Sequence, residues 1–355
     1  MQSQPLRRRG LVLGALLCAY ASATVLPAAA QDAPKPAAEM QAVLDKLKAL
    51  EAKNVSDLTV PEARMQASAA DAAKGVQRDE RISPAPESKA TTKDIAIPTA
   101  NGALPARVYT PDGAGPFPVV VYYHGGGWVI ADINTYDASA RSLALGAEAI
   151  VVSVDYRHAP EAKFPAQHED AYAAYEWVVE NIGASNGDAS RVAVAGESAG
   201  GNLAAYVALT AKGRQATQPV HQLIVYPIAS DDTQTESKKA FTDTAPLSAP
   251  DLDWFVGHVF ESKDQTADPR IDLVDRTDLS GLPPATVIAA EIDPLRSESE
   301  EYAEKLKAAG VSVNQKTFTG VTHEFFGMGK VVPQARQAME MATADLKQAF
   351  AKGAQ

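Results

Sequence analysis

The sequence predicts an α/β fold in which a mostly parallel β-sheet is covered by helices on both faces. Three observations support this prediction. The chain has 355 residues and 46% hydrophobic content, which is enough for one large α/β domain or two smaller ones. Several short apolar runs lack polar alternation, as strands buried on both faces require. Segments with helical spacing separate these runs along most of the chain, which is typical of a parallel sheet.

The period of the apolar residues predicts the individual elements. Strands are expected at residues 94–98, 104–109, 118–123, 150–154, 192–195, 221–226, 285–290 and 311–318. Helices are expected at residues 40–50, 61–73, 136–146, 166–181, 199–212, 251–260, 297–309 and 333–351. Residues 31–90 are therefore interpreted as cap helices and a linker, and residues 91–355 as the main domain.

One segment, at about residues 230–278, interrupts the alternation of strands and helices. It is acidic and rich in Asp, Thr and Pro, and it is too long for a plain connection. We interpret it as an insertion that covers the functional site together with the N-terminal helices. A surface excursion without function is the alternative.

Residues 1–30 are interpreted as a cleaved export signal. Three arginines at 7–9 precede an apolar stretch at 11–26, which ends in alanines at 28–30. Cleavage there predicts a periplasmic or extracellular protein without a stable membrane anchor. A retained anchor is disfavoured because the apolar stretch is short and interrupted. Residues 8–11 also match a twin-arginine signal weakly, but general secretion is favoured.

Charge and cysteine content exclude several classes of function. The net charge of −11 argues against nucleic acid or an anionic membrane as a partner, because both require basic patches. The single cysteine, Cys18, lies within the signal, so the mature chain has no disulfide, thiolate nucleophile or cysteine metal site. A lipoprotein beginning at Cys18 is disfavoured by the leucines that precede it. No cofactor and no metal are expected.

The sequence Gly-Glu-Ser-Ala-Gly at residues 196–200 indicates a nucleophilic serine. It closes an apolar strand and opens a helix, so Ser198 is expected on a sharp turn above the sheet. Small neighbours at Gly196 and Gly200 suit such strained geometry. The amides at the start of the helix would face any negative charge that develops there.

A serine hydroxyl needs a base, and the base needs a group that orients it. His323 is the expected base because it follows the last predicted strand, in a loop that can return over the sheet. Asp293 is the expected acid because it follows the strand at 285–290, and Glu291 is its rival. A structural role for Asp293 as a helix cap is the simpler alternative. The other histidines considered are expected to be structural or to face solvent: His158, His168, His221 and His258.

The sequence His-Gly-Gly-Gly-Trp at residues 124–128 is expected to supply donors for an oxyanion. We assign this role to the amides of Gly126 and Gly127, with Ala199 as a third donor. Gly125 remains possible, because the sequence does not decide which glycines point inward. Trp128 is expected to bind substrate in the acyl pocket, with a packing role as an equal alternative.

In their order along the chain, residues 124–128, 196–203, 293–295 and 323 resemble the motifs of the hormone-sensitive lipase family of esterases within the α/β-hydrolase fold. Residues 155–161 (Asp-Tyr-Arg-His-Ala-Pro-Glu) match the family's stretch before the helix that precedes the serine. The resemblance implies an eight-stranded sheet, a helical cap and hydrolysis of carboxylic esters. Glu197 departs from the family, which most often has Asp there, and its role stays open.

The leading hypothesis is a serine carboxylesterase that hydrolyses short- to medium-chain acyl esters of small molecules. The same three residues would also serve an amide, a peptide or a lactone substrate. A binding module on a hydrolase scaffold is the hypothesis from another class. A homodimer is possible through the edge of the last strand.

Overall fold

An eight-stranded sheet forms the centre of the computed structural model, which describes residues 1–2, 34–82 and 90–353. The predicted export signal lies outside these ranges, apart from its first two residues. The strands are β1 (Ala90–Thr99), β2 (Gly102–Pro111), β3 (Phe117–Tyr123), β4 (Ile150–Val154), β5 (Gly187–Glu197), β6 (Gln222–Val225), β7 (Ala285–Ile292) and β8 (Val313–Thr322). All eight predicted strands are present.

The helices that flank this sheet lie mainly between its strands, as predicted. They are α1 (Ala38–Ala49), α2 (Val60–Met65), α3 (Ala69–Asp79), α4 (Asp137–Ala147), α5 (Ala166–Asn181), α6 (Ala199–Gly213), α7 (Glu236–Ala240), α8 (Ala249–Val259), α9 (Arg296–Ala308) and α10 (Pro333–Gly353). Among the described residues, no helix is both long and apolar enough to cross a membrane.

The strand order is β1-β2-β4-β3-β5-β6-β7-β8. β1 pairs with β2 and β2 with β4 in antiparallel fashion, and every later pairing is parallel. This topology confirms the predicted mostly parallel sheet. It also brings the carboxyl ends of β3, β4, β5, β7 and β8 to one edge, where the candidate site residues follow.

Helices cover both faces of the sheet. Neighbouring residues of a strand point to opposite faces, and in the central strands both sets are apolar, so each face needs a covering layer. In β3, Val119 and Val121 join an apolar cluster that contains residues of α5, α6 and α9. Val120 and Tyr122 join a second cluster that contains residues of α1, α3, α4 and α10. All four side chains are fully buried, which accounts for the continuous apolar pattern of this strand.

One helix prediction was wrong, and one helix was not predicted. The expected helix at 61–73 is instead α2 and α3, because Ser68 begins a new helix: its hydroxyl accepts the Asp71 amide at 3.1 Å, and the Asp71 carboxylate accepts the Ser68 amide. Helix α7 was missed, since five residues are too few to show a period, although the Thr235 hydroxyl caps it.

The N-terminal segment and the insertion contact each other. The Trp254 indole on α8 donates to the Leu58 carbonyl at 3.0 Å, and the Ser56 amide donates to the Asp251 carboxylate at 3.0 Å. Arg64 of α2 donates to the carbonyls of Val129 and Ala159. These bonds join both segments to the loops at the carboxyl edge of the sheet.

Candidate active site

Ser198 lies on a sharp turn between β5 and α6. Its backbone has φ 56° and ψ −121°, a strained conformation for a residue with a side chain. Its amide donates to the Val225 carbonyl of β6 at 2.9 Å. A Cβ on Gly200 would lie 2.0 Å from the Tyr123 carbonyl oxygen, so only glycine allows α6 to begin this close to β3. The turn therefore has the geometry that the motif predicts.

His323 lies between Ser198 and Asp293. Its Nε2 is 3.0 Å from the Ser198 Oγ, and its Nδ1 is 2.7 Å from the Asp293 Oδ2. The carboxylate accepts a hydrogen bond from the Nδ1–H group, which leaves Nε2 with a lone pair for the serine hydroxyl. The structure thus brings together three residues that the sequence separates by 125 and 30 positions.

Strand register explains how Asp293 and His323 meet. β7 and β8 are parallel neighbours, and Ile292 is the register partner of Thr322. Asp293 and His323 are the residues that directly follow these partners, just beyond the ends of the two strands. The other oxygen of Asp293 accepts the Leu295 amide at 2.8 Å, so the carboxylate also serves the turn before α9.

The pKa of His323 is raised above its usual value of 6.5. Burial opposes the charged imidazolium, but the charge and hydrogen bond of Asp293 outweigh it, and the charges of Glu324 and Glu197 act in the same direction. An imidazolium formed during proton transfer would therefore be stabilised at this position.

Glu291, the rival acid, does not contact His323. Its carboxylate accepts the Gly320 amide at 2.7 Å. The register of β7 and β8 shifts between Ala290 and Ile292, and Glu291 lies at this irregularity, whereas Asp293 follows the Ile292–Thr322 pair. Two of the other histidines have bonds to neutral groups, from His168 to Asn202 and from His221 to Thr286, at 2.9 Å each.

Gly126 and Gly127 line the cavity that contains Ser198 and His323, whereas Gly125 does not. Gly127 has φ 57°, and a Cβ there would lie 2.3 Å from the Phe255 ring. The carbonyl of Gly125 faces the other way and is 2.8 Å from the His124 Nδ1. The Ala199 amide is in the first turn of α6, where amides have no acceptor within the helix.

Trp128, for which substrate binding and packing were equal alternatives, does not line the cavity that contains Ser198. It has φ 59° and is 3% exposed, with its ring 5.8 Å from that of His168. Gly126 and Gly127 also have positive φ, so the backbone turns through three successive residues here. Trp128 instead borders a neighbouring cavity, together with Phe255.

A buried hydrogen-bond network that no sequence motif indicated lies behind His323. The carboxylate of Glu197 accepts hydrogen bonds from the hydroxyls of Tyr122, at 2.5 Å, and Tyr226. Burial raises the pKa of Glu197 to about 7, although the tyrosine hydrogen bonds oppose this shift. The Tyr226 ring lies 4.5 Å from the His323 ring, between centroids.

A second carboxylate, that of Glu324, lies within the cavity. Its Oε1 accepts the Tyr136 hydroxyl at 2.6 Å and is 3.9 Å from the His323 Nε2. Glu324 has φ 69°, which is uncommon for a residue with a side chain. Its position directly after His323 was the available sequence signal.

The cavity beside Ser198 has a volume of about 140 Å³. Its walls come from three parts of the chain: the N-terminal segment, the loops of the sheet and the insertion. Most of the wall is apolar, and it includes Leu47, Val55, Ile130, Ile228, Leu247 and Phe255.

The fold and this site define the class of α/β hydrolases, and comparison with known proteins agrees. Residues 120–327 match the family described as the alpha/beta hydrolase fold. The chain belongs to this family, which is that of the hormone-sensitive lipase-like esterases.

Relatives of this chain are named as esterases. The carboxylesterase NlhH of Mycobacterium tuberculosis is 44% identical over 70% of this chain and 79% of its own length. The carboxylic ester hydrolase LipN of the same organism is 41% identical over 69% of this chain and 67% of its own. A solved esterase from Pyrobaculum calidifontis has 36% identity and a TM-score of 0.79, covering 89% of this chain and 98% of that one. The protein is therefore a carboxylic ester hydrolase.

Proposed function

We propose that the protein hydrolyses esters through an acyl-enzyme on Ser198. The observation that carries this proposal is the pair of contacts made by His323, at 3.0 Å to the Ser198 Oγ and 2.7 Å to Asp293. This arrangement of nucleophile, base and orienting carboxylate is the one that acyl transfer to serine requires.

In the first half of the reaction, the Ser198 Oγ attacks the ester carbonyl carbon while His323 Nε2 takes the hydroxyl proton. Asp293 stabilises the resulting imidazolium. The amides of Gly126, Gly127 and Ala199 donate to the oxyanion of the tetrahedral intermediate. His323 then gives its proton to the departing alcohol, and the acyl group remains on Ser198.

In the second half, a water molecule replaces the alcohol. His323 takes a proton from the water as it attacks the acyl carbon, and returns that proton to Ser198 Oγ when the carbon–oxygen bond breaks. The products are a carboxylic acid and the free enzyme.

The proposed substrates are esters of short to medium acyl chains. The support is the cavity volume of about 140 Å³, which is below the range of roughly 300–1,000 Å³ for drug-sized ligands. The ethyl acetate hydrolase of Pseudomonas putida, 34% identical over 72% of this chain, is named for a small ester.

The first test is Ser198→Ala, assayed on p-nitrophenyl esters with acyl chains of two to twelve carbons. We expect kcat to fall by about 10⁴-fold or more, because the nucleophile is lost. Ser280→Ala, at an exposed serine, is the matched control and should retain activity. Unchanged hydrolysis by Ser198→Ala would contradict the mechanism.

The same wild-type series tests the substrate class. Rates should be highest for chains of two to eight carbons and fall at twelve. Faster turnover of matched anilides or lactones would instead favour the alternative substrates. Lack of labelling by a serine-directed organophosphonate would favour a binding module.

We also propose export by means of residues 1–30. The support is the order of arginines, apolar stretch and alanines described above. N-terminal sequencing of the protein from a periplasmic fraction should begin near Gln31. A cytoplasmic protein with an intact N-terminus would refute export.

A homodimer through the sheet edge is a further proposal. β8 is an edge strand with exposed Asn314 and Lys316, so its outer backbone groups can pair with a second copy. Light scattering after size-exclusion chromatography would give twice the monomer mass, and a monomer at all concentrations would refute it.

A further inference from the structure

Three side chains outside the proposed catalytic residues converge at the ends of β3 and β4. They are His124, Asp155 and His158, and one potential ligand atom from each lies within 4.8 Å of the other two. Tyr123 and Val154 are register partners on these parallel strands. His124 and Asp155 are the next residues, so the sheet itself places them side by side.

The tautomer of His124 is decided by its neighbours. Its Nδ1 lies 2.8 Å from the carbonyl oxygen of Gly125, which can only accept, so Nδ1 carries the proton. In the neutral ring, Nε2 is then an acceptor, and it faces the Asp155 Oδ1 at 3.6 Å. Two acceptors that face each other need a hydrogen-bond donor or a cation between them.

None of the three atoms has a hydrogen-bond partner among the described residues. The His124 Nε2, Asp155 Oδ1 and His158 Nε2 are all shielded from solvent, and the His124 side chain is fully buried. Buried polar atoms without partners are uncommon in folded proteins, because each costs about 1–3 kcal/mol. Three such atoms in one place indicate a ligand.

We propose that His124, Asp155 and His158 bind a divalent transition-metal ion, with Zn²⁺ as the best fit. Two imidazoles and one carboxylate suit Zn²⁺, whereas Mg²⁺ and Ca²⁺ prefer oxygen ligands. Bonds of about 2.0–2.2 Å in a tetrahedron place ligand atoms about 3.4 Å apart. The 3.6 Å separation of His124 and Asp155 is close to this value, and a modest movement of His158 completes the site.

The surroundings have the features of a supported metal site. A metal-bound histidine usually donates its other nitrogen to a carbonyl or carboxylate, as His124 does to Gly125. The Tyr156 ring stacks on His124 at 4.4 Å between centroids, and its hydroxyl donates to the His124 carbonyl. The Asp155 side chain is 28% exposed, which provides an entry path and room for water as a fourth ligand.

The nearby positive charge of Arg64 is already paired. Its guanidinium lies 2.7 Å from the Glu161 carboxylate. The ion would join the end of β4 to the first residue of the loop that contains Gly126 and Gly127. We therefore expect bound metal to stabilise this edge of the fold.

The test is titration of the tag-free, chelator-treated protein with Co²⁺, followed by visible absorption. One equivalent should bind and give the d–d bands of a low-coordinate nitrogen and oxygen site. Zn²⁺ should displace it and raise the unfolding temperature, because a ligand that binds only the folded state stabilises it. Mg²⁺ should do neither.

Variants locate the ion. His158→Gln and Asp155→Asn should each weaken Co²⁺ binding by at least about tenfold. Two matched controls, His258→Gln and His323→Gln, remove histidines elsewhere and should leave the absorption unchanged. Circular dichroism of each variant establishes that it is folded. His158→Gln is the decisive variant if Asp155→Asn does not fold.

Two outcomes overturn the proposal. One is half-saturation only above about 1 mM Co²⁺, which would mean that a proton or water satisfies these atoms. The other is loss of binding in His323→Gln with retention in His158→Gln, which would place the ion between His323 and Asp293.

Discussion

Two of the histidine–carboxylate pairs among the described residues are built in the same way and differ in one hydrogen bond. His323 with Asp293 and His124 with Asp155 both follow register partners at the ends of parallel strands. In the first pair, Nδ1 donates directly to the carboxylate at 2.7 Å. In the second, Nδ1 donates to a backbone carbonyl, and Nε2 faces the carboxylate at 3.6 Å.

This difference changes what each pair can do. The carboxylate that accepts from Nδ1 stabilises a positive ring and leaves Nε2 to take a proton from Ser198. The carbonyl beside His124 instead uses up the only donor of the neutral ring, so the second pair presents lone pairs to a cation. The function of a histidine beside a carboxylate therefore depends on which nitrogen is already bonded.

The largest effect is expected for Asp293→Asn, which removes the carboxylate of the first pair. The amide would present a donor or a weak acceptor to Nδ1, and it would no longer stabilise the imidazolium. We expect kcat to fall by about 10³–10⁴-fold in a p-nitrophenyl acetate assay.

Glu291→Gln is the matched control for that variant. It lies two residues earlier, and among the described residues its carboxylate has a hydrogen bond only from the Gly320 amide, so activity should stay within a few-fold of wild type. Equal losses in both variants would contradict the role proposed for Asp293.

The buried carboxylate of Glu197 allows a test on stability. Its pKa of about 7 in the folded protein exceeds the usual value of 4.5, so the folded state holds a proton that the unfolded state has released. Stability should therefore fall as pH rises from 4.5 to 7. Glu197→Gln should remove this dependence, which amounts to about 2–3 kcal/mol by pH 8.

Urea unfolding at pH 5 and pH 8 measures this effect as the difference between variant and wild type. Glu180→Gln, at an exposed position, is the control and should unfold like wild type at both pH values. A pH-independent difference for Glu197→Gln would mean that the carboxyl group does not titrate in this range.

The smallest expected effect concerns Glu324, which adds negative charge beside His323. A base must be neutral to accept a proton, so kcat/KM should rise with pH through the pKa of His323, above 6.5. Glu324→Gln removes one of the charges that raise this pKa. The rise of kcat/KM on the acidic side of the pH profile should therefore shift to lower pH, by up to about one pH unit.

Glu324→Asp keeps the charge and serves as the control for that profile. The pH at which kcat/KM rises should be closer to the wild-type value in Glu324→Asp than in Glu324→Gln. An equal shift of this pH in both variants would assign the effect to side-chain packing instead of charge.

The sequence predicted correctly those features that depend on local residue patterns. Continuous apolar strands, helical spacing and the Gly-Glu-Ser-Ala-Gly turn depend on residues close together in the chain. The confirmed sheet and the family follow from them. Short or capped helices were harder to predict, because the capping hydrogen bonds of Ser68 and Thr235 are local and do not alter the spacing of apolar residues.

By itself, the sequence determined the class of fold, the family and the ends of strands where site residues collect. Only the tertiary structure decided that Asp293 and not Glu291 reaches His323, that Gly126 and Gly127 face the cavity, and that Trp128 does not. It also placed His124 beside Asp155 and His158. The physical reason is that such contacts depend on strand order, register and backbone turns, which join residues far apart in the chain.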